Sequence, residues 1–293
     1  MEKTVRKPLT IKHYLLLTKP GIILGNVLTT AGGYALAARG HYDLKLFIAM
    51  VEGLALIIAS ACVFNNFIDR NHDAKMARTK FRALARGAIP HRKALLFGTA
   101  LGLLGTFILL IGTNPLTTSV ALTGFFFYVI VYSLSKYQTT YSTLIGSIAG
   151  AIPPVVGYTT VTGKLDLGAL ILFAIIAMWQ MPHFFAIAIY RINDYAKASI
   201  PVFPRVKGMY RTKVHMTAYL LAFMASTALL TLCGYTTAVF MIIMTLAGLA
   251  WLILALKGFK AQNDKRWARK MFVYSLIVVM TLSVAIPFTT VAS

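Results

Sequence analysis

Acidic residues are scarce in this chain of 293 residues, which carries only 8 Asp and Glu against 29 Lys and Arg. Charged residues of both signs make up 13% of the sequence, whereas hydrophobic residues make up 58%. A soluble domain of this length has roughly a quarter charged residues, so the composition excludes an ordinary soluble globular protein. The apolar residues recur in runs of about 20, the length of a membrane-spanning helix. We therefore predict an all-α integral membrane protein, since a helix satisfies its own backbone hydrogen bonds in lipid.

Cysteine and the common catalytic motifs are also sparse or missing. The two cysteines, Cys62 and Cys233, fall near opposite faces of the membrane in the predicted topology, which excludes a disulfide between them. The sequence contains no Walker loop, no dinucleotide-binding fingerprint and no nucleophile elbow. The polar residues that remain as candidates lie around two loops on one face of the membrane.

A single transmembrane domain over residues 1–293, with nine spans, is the predicted architecture. The predicted spans are 14–38, 44–68, 94–113, 116–136, 140–161, 167–190, 214–234, 236–257 and 270–290. If successive connections between the spans lie on alternate sides of the membrane, nearly all basic residues fall on one side, beginning with Lys3, Arg6 and Lys7. Only Arg39, Lys45 and Lys164 fall on the other side. This positive-inside pattern predicts a cytoplasmic N-terminus and a periplasmic C-terminus. The net charge of +21 is then explained by orientation and by anionic membrane lipid, not by nucleic acid.

Asparagine and aspartate cluster in the segment NNFIDRNHD, residues 65 to 73, at the end of the second predicted span. Asn65, Asn66, Asp69 and Asp73 are spaced so that they share one face of a helix. Four oxygen-bearing side chains in one stripe suit a hard cation such as Mg²⁺, which combines few carboxylates with waters and a substrate phosphate. Two uncompensated carboxylates in lipid would each cost ~2.5–3.5 kcal/mol. We therefore expect the stripe to face a cavity or the aqueous edge; the alternative is a helix end with solvated acids. His72 points off the stripe and is expected to be a solvated loop residue.

A basic run follows the stripe at residues 74–87, with Lys75, Arg78, Lys80, Arg82 and Arg86. Taken alone, such a run is a positive-inside signal. Beside a Mg²⁺ site it indicates counter-charge for a multiply anionic group, because arginine can grip phosphate through two hydrogen bonds. The predicted ligand is therefore a diphosphate with a lipid tail.

The second polar loop, residues 190–208, supplies one more carboxylate, Asp194, with Arg191 and Lys197 nearby. Pro201 and Pro204 stop any helix there. Upstream, His183 follows Pro182 inside the sixth predicted span. An intramembrane histidine is a functional candidate, although a core histidine held by hydrogen bonds is equally compatible with the sequence. Glu52, in the second span, is interpreted as cavity-facing or paired, and His215 as interfacial or lining the site.

These segments resemble a known family. NNFIDRNHD followed by MARTKFR resembles the first aspartate-rich motif of the UbiA-type intramembrane prenyltransferases, and Asp194-Tyr195 stands where their second motif lies. The stretches TKPGIILGN, GAIPPVVGY and WQMPHFFAIAIYRINDY leading into IPVFP resemble the haem O synthase branch. The resemblance covers residues 14–290. Two departures are Ala198, where the second motif often has another acid, and Ala83, where the first loop usually has proline.

The resemblance implies nine helices bundled around a central cavity open to the cytoplasmic side of a bacterial inner membrane. The implied reaction transfers a farnesyl group from farnesyl diphosphate to a vinyl group of protoheme IX (haem B), with addition of water, to give haem O and diphosphate. Mg²⁺ is the implied cofactor, and its implied ligands are Asn66, Asp69, Asp73 and Asp194. The three aspartates are the implied catalytic residues. Further substrate-binding residues would be Asn65, Arg78, Lys80, Arg82, His183, Arg191, Tyr195 and Lys197.

Within this assignment we expect His183 to orient or axially ligate the haem. Implied partners are membrane lipid and a haem-copper terminal oxidase or other haem-handling protein. One alternative is prenylation of a quinone precursor such as 4-hydroxybenzoate. A second alternative, a transporter, requires intramembrane charges strung across the bilayer, whereas the acids of both motifs lie at one face.

Overall fold

The computed structural model describes residues 10–292, which form nine helices long and apolar enough to cross a membrane. The helices are α1 (Pro20–Ala38), α2 (Leu44–Asp73), α3 (His91–Gly112), α4 (Pro115–Ser135), α5 (Ser142–Thr162), α6 (Leu167–Tyr190), α7 (Met209–Leu232), α8 (Ala238–Lys260) and α9 (Asp264–Thr289). Three shorter helices, Ile11–Leu17, Ile192–Lys197 and Phe203–Val206, precede α1 or lie between α6 and α7. The predicted all-α membrane fold with nine spans is confirmed. Lys3, Arg6 and Lys7 lie outside the described residues.

Several helices begin at side chains that cap free backbone N–H groups. Asp43 accepts hydrogen bonds from the backbone N–H groups of Lys45 and Leu46 at the start of α2, and Asp166 caps α6 in the same way. Asn114 caps α4 and Asn263 caps α9. A side-chain oxygen at this position satisfies donors that the helix itself leaves free. Two of the few acidic residues are therefore used to start helices.

The first predicted span is divided at Lys19. The helix Ile11–Leu17 ends before it, and α1 begins at Pro20. The Lys19 backbone is left-handed, with φ of 52°, a conformation that non-glycine residues rarely adopt. Proline at the first helical position has no N–H to leave unsatisfied. The second span is longer than predicted and runs to Asp73, so the whole stripe lies on one uninterrupted helix.

The last part of α4 is wound as a π-helix over Phe127–Tyr132. The hydroxyl of Ser133, which follows this segment, donates a 2.9 Å hydrogen bond to the carbonyl of Tyr128, five residues earlier. The Ser133 hydroxyl also accepts a hydrogen bond from Asn65. Wide turns of this kind are frequent at functional sites, and this one joins α4 to the stripe.

The helices pack in a bundle with α6 in contact with α5, α7 and α9, and with α1 in contact with α2, α5 and α9. The closest approach is between α1 and α5. A Cβ added at Gly33 would lie 2.0 Å from the carbonyl oxygen of Pro154, and one at Gly157 would lie 2.0 Å from that of Thr30. Only glycine permits backbones to come this close, so these two positions fix α1 against the centre of the bundle.

The connections 74–90 and 191–208 lie at the same end of the bundle, which we call the polar end. They meet in a small apolar cluster in which Met76 of the first connection packs with Ala198 and Ile200 of the second. Tyr137 and Tyr195 pack against this cluster. The two loops are therefore held together over the end of α2 that carries the stripe.

Candidate functional site

The stripe on α2 is buried although all four of its side chains are polar. Asn65, Asn66 and Asp73 are 2% exposed and Asp69 is 5% exposed. Buried polar groups need partners, and a buried charge needs an opposite charge. All four residues obtain partners from outside the stripe, but one atom of Asn66, its Oδ1, has no partner among the described residues. The solvated-acid alternative is therefore excluded for the two aspartates.

Asp69 is held by the two residues that follow α4. The ammonium of Lys136 forms an ion pair with one carboxylate oxygen. The hydroxyl of Tyr137 donates a 2.6 Å hydrogen bond to the other oxygen. Burial, and then the charge of Asp69, raise the pKa of Tyr137 well above its ordinary value. The phenol therefore keeps its proton and remains a donor to the carboxylate.

Asp73 is held by the basic run that follows it. The guanidinium of Arg82 donates a 2.7 Å hydrogen bond to the Asp73 carboxylate. The hydroxyl of Thr79 bonds the Asp73 backbone carbonyl at 3.0 Å and thereby fixes the turn between them. The first loop thus folds back over the end of α2 and places a guanidinium on the stripe.

A third cation reaches the stripe from the turn before α1. The ammonium of Lys19 donates a 2.6 Å hydrogen bond to the side-chain carbonyl of Asn65, whose amide nitrogen donates to Ser133 at 3.0 Å. Burial lowers the pKa of Lys19 to about 8. The partner is a neutral amide, so the positive charge of Lys19 is not cancelled by a direct ion pair.

Asn66 presents an acceptor without a donor. Its amide nitrogen donates a 2.8 Å hydrogen bond to the backbone carbonyl of Leu17, which fixes the orientation of the amide. Its Oδ1 is buried and has no hydrogen-bond partner among residues 10–292. A buried carbonyl in this state fits coordination to a hard cation, for which oxygen ligands are preferred.

The stripe fits a metal that is shared with a substrate rather than one enclosed by protein. Within the described part of the chain, no three His, Cys, Asp or Glu side chains converge as a metal site. Asn66, Asp69 and Asp73 offer three oxygen-bearing side chains on one helix face. Mg²⁺ typically takes one or two carboxylates and completes its shell with waters and phosphate oxygens. The donor set matches that pattern.

The second loop brings Asp194 and Tyr195 to the polar end. The Asp194 carboxylate lies 4.0 Å from the guanidinium of Arg191, three residues earlier. Burial raises the pKa of Tyr195, and the nearby positive charge of Arg78 acts against this shift. Arg78, from the first loop, is the cation with the largest effect on the pKa of this tyrosine.

Of the five predicted basic residues, Arg82 alone forms an ion pair or hydrogen bond with the stripe in the described part of the chain. Arg78 is exposed, and Arg191 lies beside Asp194. Lys80 is exposed, with its ammonium 5.0 Å from the centre of the Phe81 ring. Lys197 is exposed at the end of the short helix Ile192–Lys197.

Glu52 forms no ion pair with any described residue. It is exposed and lines an open groove between α2 and α3, with Lys45 and Phe107, apart from the stripe.

His183 is buried between α6 and α9. Its Nδ1 lies 2.7 Å from the hydroxyl of Ser275, and its ring stacks on Trp179 with centroids 4.7 Å apart. The Ser275 hydroxyl donates its own proton to the carbonyl of Phe272. Nδ1 is therefore the donor in the His183–Ser275 bond, and Nε2 carries the free lone pair. The structure does not place His183 among the side chains that contact the stripe.

His72 is not the solvated loop residue that the sequence predicts. Its ring stacks on Tyr137 with centroids 3.8 Å apart and an angle of 21° between the planes. Its Nδ1 is buried and lacks a hydrogen-bond partner in the described chain. His72 therefore supports the tyrosine that holds Asp69, and it was misassigned because a helical wheel shows only that it faces away from the stripe.

The sequence analysis missed Lys19, Lys136 and Tyr137 as site residues. Lys136 stands alone between two predicted spans, where a single lysine indicates only the orientation of the chain in the membrane. Lys19 lies inside TKPGIILGN, a stretch quoted for its resemblance without a role for the lysine.

Comparison with known proteins identifies the family. The model of the UbiA prenyltransferase family matches residues 26–277. A protein of Yersinia enterocolitica named protoheme IX farnesyltransferase is 50% identical over 275 residues, which are 94% of this chain and 93% of that protein. A protein of Protochlamydia amoebophila with the same name is 49% identical over 278 residues, or 95% of this chain and 98% of that protein.

The fold is similar to that of solved structures at much lower identity. A structure described as digeranylgeranylglyceryl phosphate synthase superposes with a TM-score of 0.78 at 16% identity, covering 95% of this chain and 99% of that chain. A UbiA homologue from Archaeoglobus fulgidus bound to GPP and Mg²⁺ gives 0.69 at 15% identity, covering 94% and 99%. Because the family model covers most of the chain and the curated relatives match nearly its full length, this protein belongs to the UbiA prenyltransferase family.

Proposed function

We propose that this membrane protein transfers the farnesyl group of farnesyl diphosphate to a vinyl group of protoheme IX, with addition of water, and so produces haem O. The observation that carries the proposal is the stripe on α2, where two buried carboxylates meet three cations from three other segments. A diphosphate is the anion that such a mixed site takes best, because a metal on the carboxylates and the surrounding cations can share its charge. The names of the relatives that are about half identical support protoheme as the acceptor.

Asn66, Asp69 and Asp73 would hold Mg²⁺, and Asp194 would add a contact from the second loop. The bound ion would neutralise charge on the diphosphate and so help it to leave. The Asn66 Oδ1 without a donor supports this assignment. A Mg²⁺ ion is present with GPP in the A. fulgidus homologue, which has the same fold.

Lys19, Lys136 and Arg82 bring three positive charges against the two negative charges of Asp69 and Asp73. The buried site is thus poised for an anion. As the bond between C1 of the farnesyl group and oxygen breaks, its electron pair leaves with the diphosphate, and these cations stabilise that growing charge. Arg78, Arg191, Lys80 and Lys197 would add positive potential around the polar end, and Tyr195 would line the site.

The allylic cation left by diphosphate then reacts with the vinyl group of the acceptor. The π electrons of the vinyl group form the new C–C bond, and the positive charge moves to the carbon next to the porphyrin. Water adds there and loses one proton. The centres of the Tyr132 and Tyr137 rings lie 5.8 Å and 5.1 Å from the Lys136 ammonium, so these rings help to hold that cation at the site.

For His183 we propose a role in orienting the haem. Its bond to Ser275 joins α6 to α9, and its ring stacks on Trp179 of the same helix, whose indole N–H donates to the Ser275 carbonyl. Asn65 would act by holding the Lys19 ammonium at the site.

We also propose that the protein lies in a bacterial inner membrane in the orientation given by the positive-inside pattern. The polar end and its cavity then face the cytoplasm, and the C-terminus is periplasmic. Membrane lipid surrounds the bundle, and a haem-copper oxidase or haem-handling protein would receive the product.

The test is incubation of the purified full-length protein with protoheme, farnesyl diphosphate and Mg²⁺, followed by mass analysis of the haem. The expected product is heavier than protoheme by one farnesyl group and one hydroxyl. A parallel incubation replaces protoheme with 4-hydroxybenzoate. A prenylated aromatic product together with unchanged haem would show that the acceptor assignment is wrong.

A further inference from the structure

A small aromatic cavity opens between α5, α6 and α7 near the polar end, apart from the stripe. Its volume is about 90 Å³. The inner wall consists of the buried side chains of Met181, Phe185 and Phe203, whereas Tyr141 and Leu144 at the rim are 53% and 42% exposed. The cavity therefore has a mainly apolar interior and an exposed mouth.

His215 of α7 is the histidine that lines this cavity, together with the phenols of Tyr141 and Tyr219. Its imidazole is exposed and lies edge-on to Phe203, with ring centroids 4.9 Å apart. No residue in the range 10–292 forms a hydrogen bond with either ring nitrogen. Imidazole is a common ligand for iron, and both ring nitrogens of His215 are free of hydrogen bonds from the described residues beside an apolar cavity.

Arg211 stands four residues before His215 and so lies on the same face of α7, one turn closer to the polar end. Its guanidinium is exposed and forms no ion pair with the described residues. The two side chains are separated by about 6 Å along the helix axis. A ligand that spans them carries an anionic group at the membrane surface and a metal or flat apolar body below it.

The cavity lies close to the site that holds the diphosphate. Tyr137, which donates to Asp69, and Tyr141, which lines the cavity, are four residues apart in the connection between α4 and α5. Four residues span at most about 14 Å even when fully extended. A molecule at the cavity can therefore extend one edge towards the stripe.

The cavity and His183 lie on different faces of α6. Met181 and Phe185 line the cavity, whereas His183, between them in sequence, contacts Ser275 and Phe272 of α9. Residues two apart on a helix point to nearly opposite sides. His183 and His215 cannot therefore coordinate the same iron from these positions.

We propose that this cavity receives one edge of the acceptor porphyrin, with His215 as the axial ligand of its iron and Arg211 as the partner of a propionate. This assignment rests on the proposed function, because it takes protoheme as the acceptor. The cavity is too small for the whole macrocycle, so the remainder lies at the mouth beside Tyr141 and Leu144. Anchoring the propionates at the surface turns the vinyl groups, on the far side of the ring, into the bundle.

The test is titration of the purified full-length protein with ferric protoheme, followed by the Soret band, for the wild type and for His215→Ala. The wild type should show the band of an imidazole-ligated haem. In His215→Ala that band should be lost and the dissociation constant for haem should rise by about tenfold or more. Added free imidazole should restore the band, which a merely structural role would not predict. Arg211→Gln should weaken binding about two- to fivefold without changing the band.

Two matched controls separate local from general effects. His91→Ala removes an exposed histidine that is edge-on to Phe67 at 5.6 Å, and Arg269→Gln removes an exposed arginine near the start of α9. Both should bind haem like the wild type. A wild-type Soret band in His215→Ala, or its loss in His183→Ala alone, would overturn this assignment but leave the proposed reaction intact. Absence of both haem binding and haem turnover in the wild type would overturn the proposed function itself.

Discussion

The ammonium of Lys19 lies 2.6 Å from the side-chain carbonyl of Asn65, 46 residues later in the sequence. The contact joins the left-handed turn before α1 to the stripe on α2. It puts a cation in the site without an opposing charge in direct contact, so the cation stays available for an anionic ligand. The backbone conformation of Lys19 is unfavourable for lysine, and the hydrogen bond to Asn65 helps to hold the residue in it.

Replacing Lys19 by methionine should raise KM for farnesyl diphosphate, because one of the three cations at the stripe is lost. We expect an increase of about tenfold, the size of one hydrogen bond to a charged group. The measurement is the initial rate at varied farnesyl diphosphate and fixed protoheme. Lys12→Met, in the exposed part of the preceding helix, is the control and should behave like the wild type.

The pKa of Lys19 predicts that the reaction with farnesyl diphosphate depends on pH. Its pKa of about 8 means that the charged form is dominant below pH 8 and is lost as the pH rises through that value. The kcat/KM for farnesyl diphosphate should therefore fall above about pH 8. Lys19→Arg should move the fall to higher pH, since arginine keeps its proton. Identical profiles for the two proteins would show that Lys19 does not control this step.

Asp69→Asn and Asp73→Asn should each reduce turnover by at least about a hundredfold, as expected for groups that position the charge-stabilising elements. Asparagine conserves the shape of the side chain and its capacity to accept the bond from Tyr137 or Arg82, so the fold should be retained. Chelation of divalent ions by EDTA should produce the same loss in the wild type, and added Mg²⁺ should reverse it.

Asp166→Asn is the control for these two variants. It also removes an acid, but at the start of α6, where asparagine caps a helix as well as aspartate does. Its activity should equal that of the wild type. Normal turnover in Asp69→Asn, or full activity in EDTA, would contradict the metal-diphosphate assignment.

His72→Ala should lower kcat about two- to tenfold, because a stacked aromatic pair contributes ~0.5–1.5 kcal/mol and this pair fixes Tyr137 against Asp69. His72→Phe keeps a flat ring on Tyr137 and should recover most of the rate. Lys75→Ala, in the exposed turn after α2, should have no effect. An inert His72→Ala variant would show that the stack has no part in positioning the carboxylate.

His183→Ala should lower both thermal stability and haem turnover, while the affinity for farnesyl diphosphate stays nearly unchanged. The bond to Ser275 joins α6 to α9, and its loss should cost about 1 kcal/mol of stability. Ser275→Ala removes the same bond from the other side. If the bond is what matters, the double variant should be no less stable than the less stable single variant. Loss of diphosphate affinity in His183→Ala would contradict an orienting role.

The sequence alone predicted the features that depend on local spacing. The nine helices follow from apolar length, and the stripe follows from positions three and four residues apart on α2. The partners of the stripe could not be predicted in this way, because Lys19 and Lys136 reach it through the packing of α1 and α4. Within the first loop, Arg82 contacts Asp73 whereas Lys80 faces outwards, and an irregular segment has no periodicity from which this difference could be inferred.

The orphan oxygen of Asn66 has a consequence for handling the protein. A buried carbonyl that lacks a donor costs about 1–3 kcal/mol, and the bond from Asn66 to Leu17 prevents the amide from rotating away. A cation that accepts this lone pair removes the penalty. Binding of metal and diphosphate should therefore stabilise the folded protein. Detergent extraction in the presence of both should yield protein with a higher melting temperature than extraction in chelator, even before any acceptor is supplied.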